Sequence, residues 1–168
     1  MTRGKQLLIA GVLLVGFASI FVRPASEERA ARAAFERLVA TLADKPGEAP
    51  VAREARLRRE LASLVDSDVH VTLPGGESLQ GRDAFITKAL ELGRGRRPVI
   101  SLQEVRTGRP GRGLVRVAFE VLVSDSQAGD LHAAPRAGEA EMAKSDQGFR
   151  LHWLEVGDEA RAEPEPRP

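Results

Sequence analysis

The chain has 168 residues, with 25 Lys and Arg against 24 Asp and Glu and a formal net charge of +1. That length suits one folded domain with tails, and that balance gives no global attraction to nucleic acid. Cysteine and tyrosine are both absent. The lack of Cys excludes disulfides, thiol catalysis, Cys-ligated zinc and a lipid-modified N-terminal Cys, and it leaves the redox compartment open.

An uninterrupted apolar run, Leu7 to Val22, follows Arg3 and Lys5. At helical rise it spans about 24 Å, somewhat short of a hydrocarbon core, with Gln6 and a snorkelling Arg23 to extend it. Gly16 and Ala18 would permit cleavage as a signal peptide after Ala18. The run continues through Ile20, Phe21 and Val22, and Arg23 with Pro24 spoils a later cleavage site, so an uncleaved anchor is preferred. Residues 1–25 are therefore expected to be a transmembrane anchor that meets the lipid bilayer through Leu7–Val22. Arg29, Arg32 and Arg37 after the run leave orientation weakly specified. The basic start and acid-bearing exit resemble an export signal. The expected place is the cytoplasmic (inner) membrane, single-pass, with the bulk of the chain outside the cytoplasm.

Ser26, Glu27 and Glu28 predict a helix start. Ala30, Ala31, Ala34, Phe35, Leu38, Val39 and Leu42 continue it at three- and four-residue spacing to about Asp44. A second helix is predicted over Val51–Val65. Its apolar stripe is Val51, Ala55, Leu57, Leu61, Leu64 and Val65, with Arg53, Arg56, Arg58 and Arg59 on the solvated side. Val69, Val71 and Leu73 alternate with His70 and Thr72 as a strand. Pro74-Gly75-Gly76 turns the chain into a short return at Ser78–Gln80. Arg82–Leu92 is a third helix, with Phe85 and Ile86 on its apolar face and Gly93-Arg94-Gly95 ending it.

Strands are predicted over Val99–Arg106, Leu114–Ser124, Arg136–Lys144 and Gly148–Val156. The run Gly108–Gly113 is a hairpin turn, and Ser126–His132 is a loop. The Gly/Arg clusters at Gly93–Pro98 and Gly108–Gly113 lack phosphate-loop spacing and interleaved aromatics, so no nucleic-acid partner is expected. Residues 157–168 carry no apolar side chain larger than Ala or Pro and are expected to be disordered.

The strand "VHVTLPGG", the return "ESLQ" and the helix start "GRDAF" stand in the order helix, helix, strand, short strand, helix and four strands. This resembles the nuclear-transport-factor-2-like superfamily, which includes ketosteroid isomerase and the SnoaL-like cyclases. The resemblance covers residues 26–156. It implies an α+β, NTF2-like cone: three helices on a curved antiparallel sheet, with a pocket at the open end. Superfamily members include isomerases, cyclases, ligand binders and non-catalytic assembly domains, so the fold does not name an activity.

The catalytic positions of the isomerase-like members are not filled. Leu73 stands before Pro74 where those members carry a general-base Asp. No Tyr exists to donate to an oxyanion. The strand faces expected to point inward are Val115/Val117/Phe119/Val121/Val123, Gly138/Ala140/Met142 and Phe149/Leu151/Trp153, none titratable. The expected function is a non-catalytic, membrane-tethered interaction or assembly module, with a homodimer or protein partner on the convex sheet face.

The alternative is a binder of a small apolar ligand in the cone, for which Phe35, Phe85, Phe119, Met142 and Trp153 are the lining residues. An enzyme with an unusual residue set using Glu104, Asp66 or His70 is the third reading. No catalytic residue, cofactor or metal is expected. His152 is placed on the convex face among Arg150, Glu120, Arg116, Glu139 and Glu141 as part of a charged ladder. Asp66 and Asp68 are read as caps or solvated acids.

Overall fold

In the computed structural model, residues 25–43, 45, 47–92, 99–127 and 130–157 are described, with 124–127 and 130–134 as backbone only. The segment Leu7–Val22 expected to be an anchor, the Gly93–Pro98 cluster and the tail from residue 158 lie outside the described residues. Among the described residues, no helix is long and apolar enough to cross a membrane.

The first helix, α1, runs over residues 25–42. Its buried stripe of Ala31, Ala34, Phe35 and Leu38 is the one that the three-and-four spacing predicts. The helix includes Ala25, so Ser26 lies inside its first turn. The acids of that turn reach the sheet. Lys144 Nζ donates to Glu27 at 2.8 Å, Arg109 pairs with Glu27, and the Thr107 hydroxyl meets Glu28 at 3.4 Å.

The second helix, α2, is Pro50–Leu64, with proline in its first turn, where the missing N–H costs no helical bond. Leu57, Leu61 and Leu64 are buried as predicted. Three expectations fail here. Val51 is 81% exposed, Ala55 is exposed as well, and Arg56, assigned to the solvated side, is only 5% exposed. The cause is a clasp. Arg56 Nε and Nη2 donate to the two Glu48 oxygens at 2.8 Å each, and Nη1 donates to the Thr41 carbonyl at 2.6 Å. The guanidinium fork thereby closes the end of α1 and the connecting loop onto α2.

The first strand, β1, is Val65–Thr72 and begins directly where α2 ends, four residues earlier than the alternation indicates. A 3₁₀ turn at Pro74–Gly76 and strand β2, Ser78–Gln80, follow. Gly75 and Gly76 have φ of 83° and 82°, which L side chains rarely adopt. The Leu73 N–H donates to the Glu77 carbonyl at 2.8 Å, so this motif is a chain reversal. Helix α3 is Arg82–Leu92, with Phe85 and Ile86 buried.

Strands β3 (Val99–Gly111), β4 (Leu114–Gln127), β5 (Asp130–Ser145) and β6 (Gly148–Val156) complete the sheet. The β4 and β5 strands run through most of the segment expected to be a loop at Ser126–His132. The strand order is β2-β1-β6-β5-β4-β3. All pairings are antiparallel except β1 with β6, so the sheet is mixed.

The helices bury their apolar stripes on one face of this sheet. The core joins Phe35, Leu38, Leu57 and Leu61 to Val115, Val117, Ala140, Met142 and Leu151. At roughly 1.5–3 kcal/mol for each large apolar side chain taken from water, this face supplies the main driving force for the fold.

Candidate functional site

The concave face of the sheet is apolar along its regular stretches. Val115, Val117, Phe119 and Val121 on β4 are buried, as are Ala140 and Met142 on β5 and Phe149 and Leu151 on β6. Four of the five residues named as a pocket lining thus belong to the interior: Phe35, Phe85, Phe119 and Met142. Phe35 and Phe119 stack against each other with ring centroids 4.9 Å apart and planes tilted by 37°. Gly138 makes room for them. A Cβ at this position would lie 2.5 Å from Phe119 Cζ and 2.4 Å from the Glu155 carbonyl oxygen. The ring fills the space that another residue's side chain would take.

Trp153, the fifth lining residue, is turned to the other face. Met142 pairs with Leu151, while the preceding Glu141 pairs with Trp153. One extra residue on β6 therefore stands opposite β5, a bulge at His152. The buried positions shift phase from Phe149 and Leu151 to Leu154. Trp153 consequently shares the outer face with Glu141, and it is only partly buried and outside the core. A bulge adds one residue and reverses which side chains face inward beyond it.

The same effect moves Glu104. A register shift falls between Leu102 and Glu104. Ile100, Leu102 and Val105 pack on the core, whereas Glu104 pairs with exposed Glu120 on the outer face and accepts a hydrogen bond from Arg106 at 2.8 Å. His70 is exposed on β1. The residues considered for an unusual enzyme therefore do not converge inside the cone.

Among the described residues, Thr41 and Arg56 are the buried polar side chains. Both serve the α1–α2 clasp, with the Thr41 hydroxyl 3.3 Å from Glu60. Arg56 is the first cause of the lowered pKa of Glu48, through its hydrogen bonds to that carboxylate. The register adds one cation that sequence patterning missed. Arg136 pairs with buried Val121 and so lies on the inward face, half-buried in the middle of β5. A guanidinium does not give up its proton, so it adds no acid–base function.

The outer face carries the charged ladder expected of it. Arg116 meets Glu141 at 2.9 Å and Glu139 at 3.8 Å. The hydrogen bond from Arg116 to Glu141 raises the guanidinium pKa further. At one place on this face the polar groups converge. His152 Nδ1 lies 3.4 Å from Asp66 Oδ2, and ligand atoms of Asp66, Asp68 and His152 all lie within 4.8 Å of one another. Their sequence positions gave no metal spacing. Two strand irregularities bring them together.

No family model matches the chain, and no curated protein matches it. Solved structures do. An uncharacterized protein with a cystatin-like fold from Caulobacter vibrioides aligns with a TM-score of 0.62 and 10% identity over 79% of this chain and 89% of that one. An NTF2-like protein from Novosphingobium aromaticivorans aligns with a TM-score of 0.60 and 14% identity, covering 86% and 90%. A candidate scytalone dehydratase from the same organism aligns with a TM-score of 0.59 and 17% identity, covering 79% and 84%. At these identities the likeness is one of fold. The chain has the NTF2-like, cystatin-like α+β fold, and that fold carries both enzymes and proteins without assigned activity.

Proposed function

We propose that this chain is a non-catalytic NTF2-like domain, tethered to a membrane by Leu7–Val22, that acts as an interaction or assembly module through the outer face of its sheet. One observation carries the non-catalytic part. Among the described residues no carboxylate and no imidazole is buried in the core. General acid–base chemistry needs such groups within reach of a bound substrate. Phe35 and Phe119 pack on each other within the core, which counts against the apolar-ligand alternative. The tether is supported by the apolar run in the sequence.

The absence of cysteine makes the test clean. A single cysteine at Glu139 on the outer face, and another at exposed Asp83 on α3, would be cross-linked with a short bis-maleimide in intact membranes. The expected result is a discrete adduct from E139C and none from D83C. Absence of any adduct from E139C would remove the interaction reading. Turnover of a hydroxy- or ketosteroid-type substrate by the purified chain would remove the non-catalytic one.

A further inference from the structure

We propose that Asp66, Asp68 and His152 bind a divalent transition-metal ion of the zinc type on the outer face, at the junction of β1 and β6. Between the pairs Val65–Leu151 and His70–Trp153, β1 advances five residues while β6 advances two. The surplus on β1 throws Asp66 and Asp68 out of the regular ladder. The β6 bulge opposite β5 falls at His152. Two neighbouring strands thus leave regular pairing at the same level, and the displaced residues are two carboxylates and an imidazole. Bulges commonly re-aim side chains in this way.

The spacing is one that a shared cation can bridge. A charge-assisted hydrogen bond between imidazolium and carboxylate would be about 2.7–2.9 Å long. His152 Nδ1 and Asp66 Oδ2 are 3.4 Å apart. Two ligands of a tetrahedral zinc ion, each at ~2.0–2.1 Å, stand roughly 3.3 Å from each other. Asp68 offers a third ligand atom, the three lying within 4.8 Å of one another. His152 and Asp66 are 43% and 23% exposed, so an ion has an entry path and a free position for water. Imidazole with carboxylates selects borderline ions such as Zn²⁺ or Co²⁺ over Mg²⁺ and Ca²⁺.

The test uses the full chain without a histidine tag, stripped with chelator and titrated calorimetrically with Zn²⁺ at neutral pH. One equivalent should bind, and the melting temperature should rise with zinc. D66N, D68N and H152Q should each bind zinc about tenfold more weakly or worse. H70Q removes an exposed imidazole outside the cluster and should bind as the parent does. Melting without metal checks that each variant is folded. Unsaturable uptake by the parent would overturn the site, as would undiminished affinity in H152Q. Binding of Ca²⁺ or Mg²⁺ in preference to Zn²⁺ would overturn the assignment of imidazole as a ligand.

Discussion

Gly138→Ala is expected to be among the most destabilising single-carbon changes in this protein. The new Cβ would stand 2.4 Å from the Glu155 carbonyl oxygen and 2.5 Å from Phe119 Cζ. Ordinary contact begins at 3.4 Å, so each neighbour must retreat by roughly 1 Å, against interiors packed as tightly as organic crystals. Phe119 has little room to do so, since Phe35 lies 4.9 Å behind it by ring centroids. The Glu155 oxygen belongs to the paired strand backbone and cannot rotate away.

Overpacking of this kind costs about 1–3 kcal/mol, and two simultaneous clashes place G138A near the upper figure. The melting temperature should then fall by roughly 10 °C. The assay is urea and thermal unfolding of G138A, F119A and the double variant. Phe119→Ala alone should cost about 3–5 kcal/mol through the cavity it leaves. In the double variant the ring clash is gone and the backbone clash remains. Its loss should therefore be smaller than the sum of the singles by about 1 kcal/mol or more. A G138A melt within a degree of the parent, or strict additivity, would refute the packing described for this ring.

Three further outcomes follow from the same geometry. Arg56→Ala should destabilise by about 3 kcal/mol, because the Thr41 carbonyl and Glu48 lose their donors; chemical denaturation reads this directly, and an unchanged midpoint would contradict the clasp. Glu48 has its folded pKa lowered beneath the ordinary value of 4.5, mainly by its hydrogen bonds to Arg56. Its stabilising effect is thus full above pH ~4.5 and is lost as acid takes the pH down through the folded pKa. The difference in stability between the parent and E48Q should accordingly shrink below that pH, and a difference that grows in acid would reverse the assigned sign. Trp153 is the single tryptophan and should be quenched by acrylamide in the native state. Leu151→Ala should cost about 2–5 kcal/mol and W153A clearly less; the opposite ranking would return Trp153 to the core.

The amino-acid sequence alone determined most of the element order and the phase of every unbroken strand. The spacing of Ala31, Ala34, Phe35 and Leu38, and the alternation from Val115 to Val123, are local periodicities of 3.6 and 2. Pro74-Gly75-Gly76 and Gly148 mark turns by their backbone freedom. Those signals need no knowledge of what a segment pairs with.

Only the tertiary structure decided the rest. Trp153 and Glu104 lie on the outer face because of one extra residue in a strand, which is visible only against its partner. Arg56 was buried because Glu48, eight residues earlier, was folded back to receive it. Asp66, Asp68 and His152 met because two strands distant in sequence lie side by side and both break step there. In each case the deciding interaction lies beyond the local periodicity of the segment, and the free energy of a bulge or a buried charge depends on the neighbour opposite rather than on the residue itself.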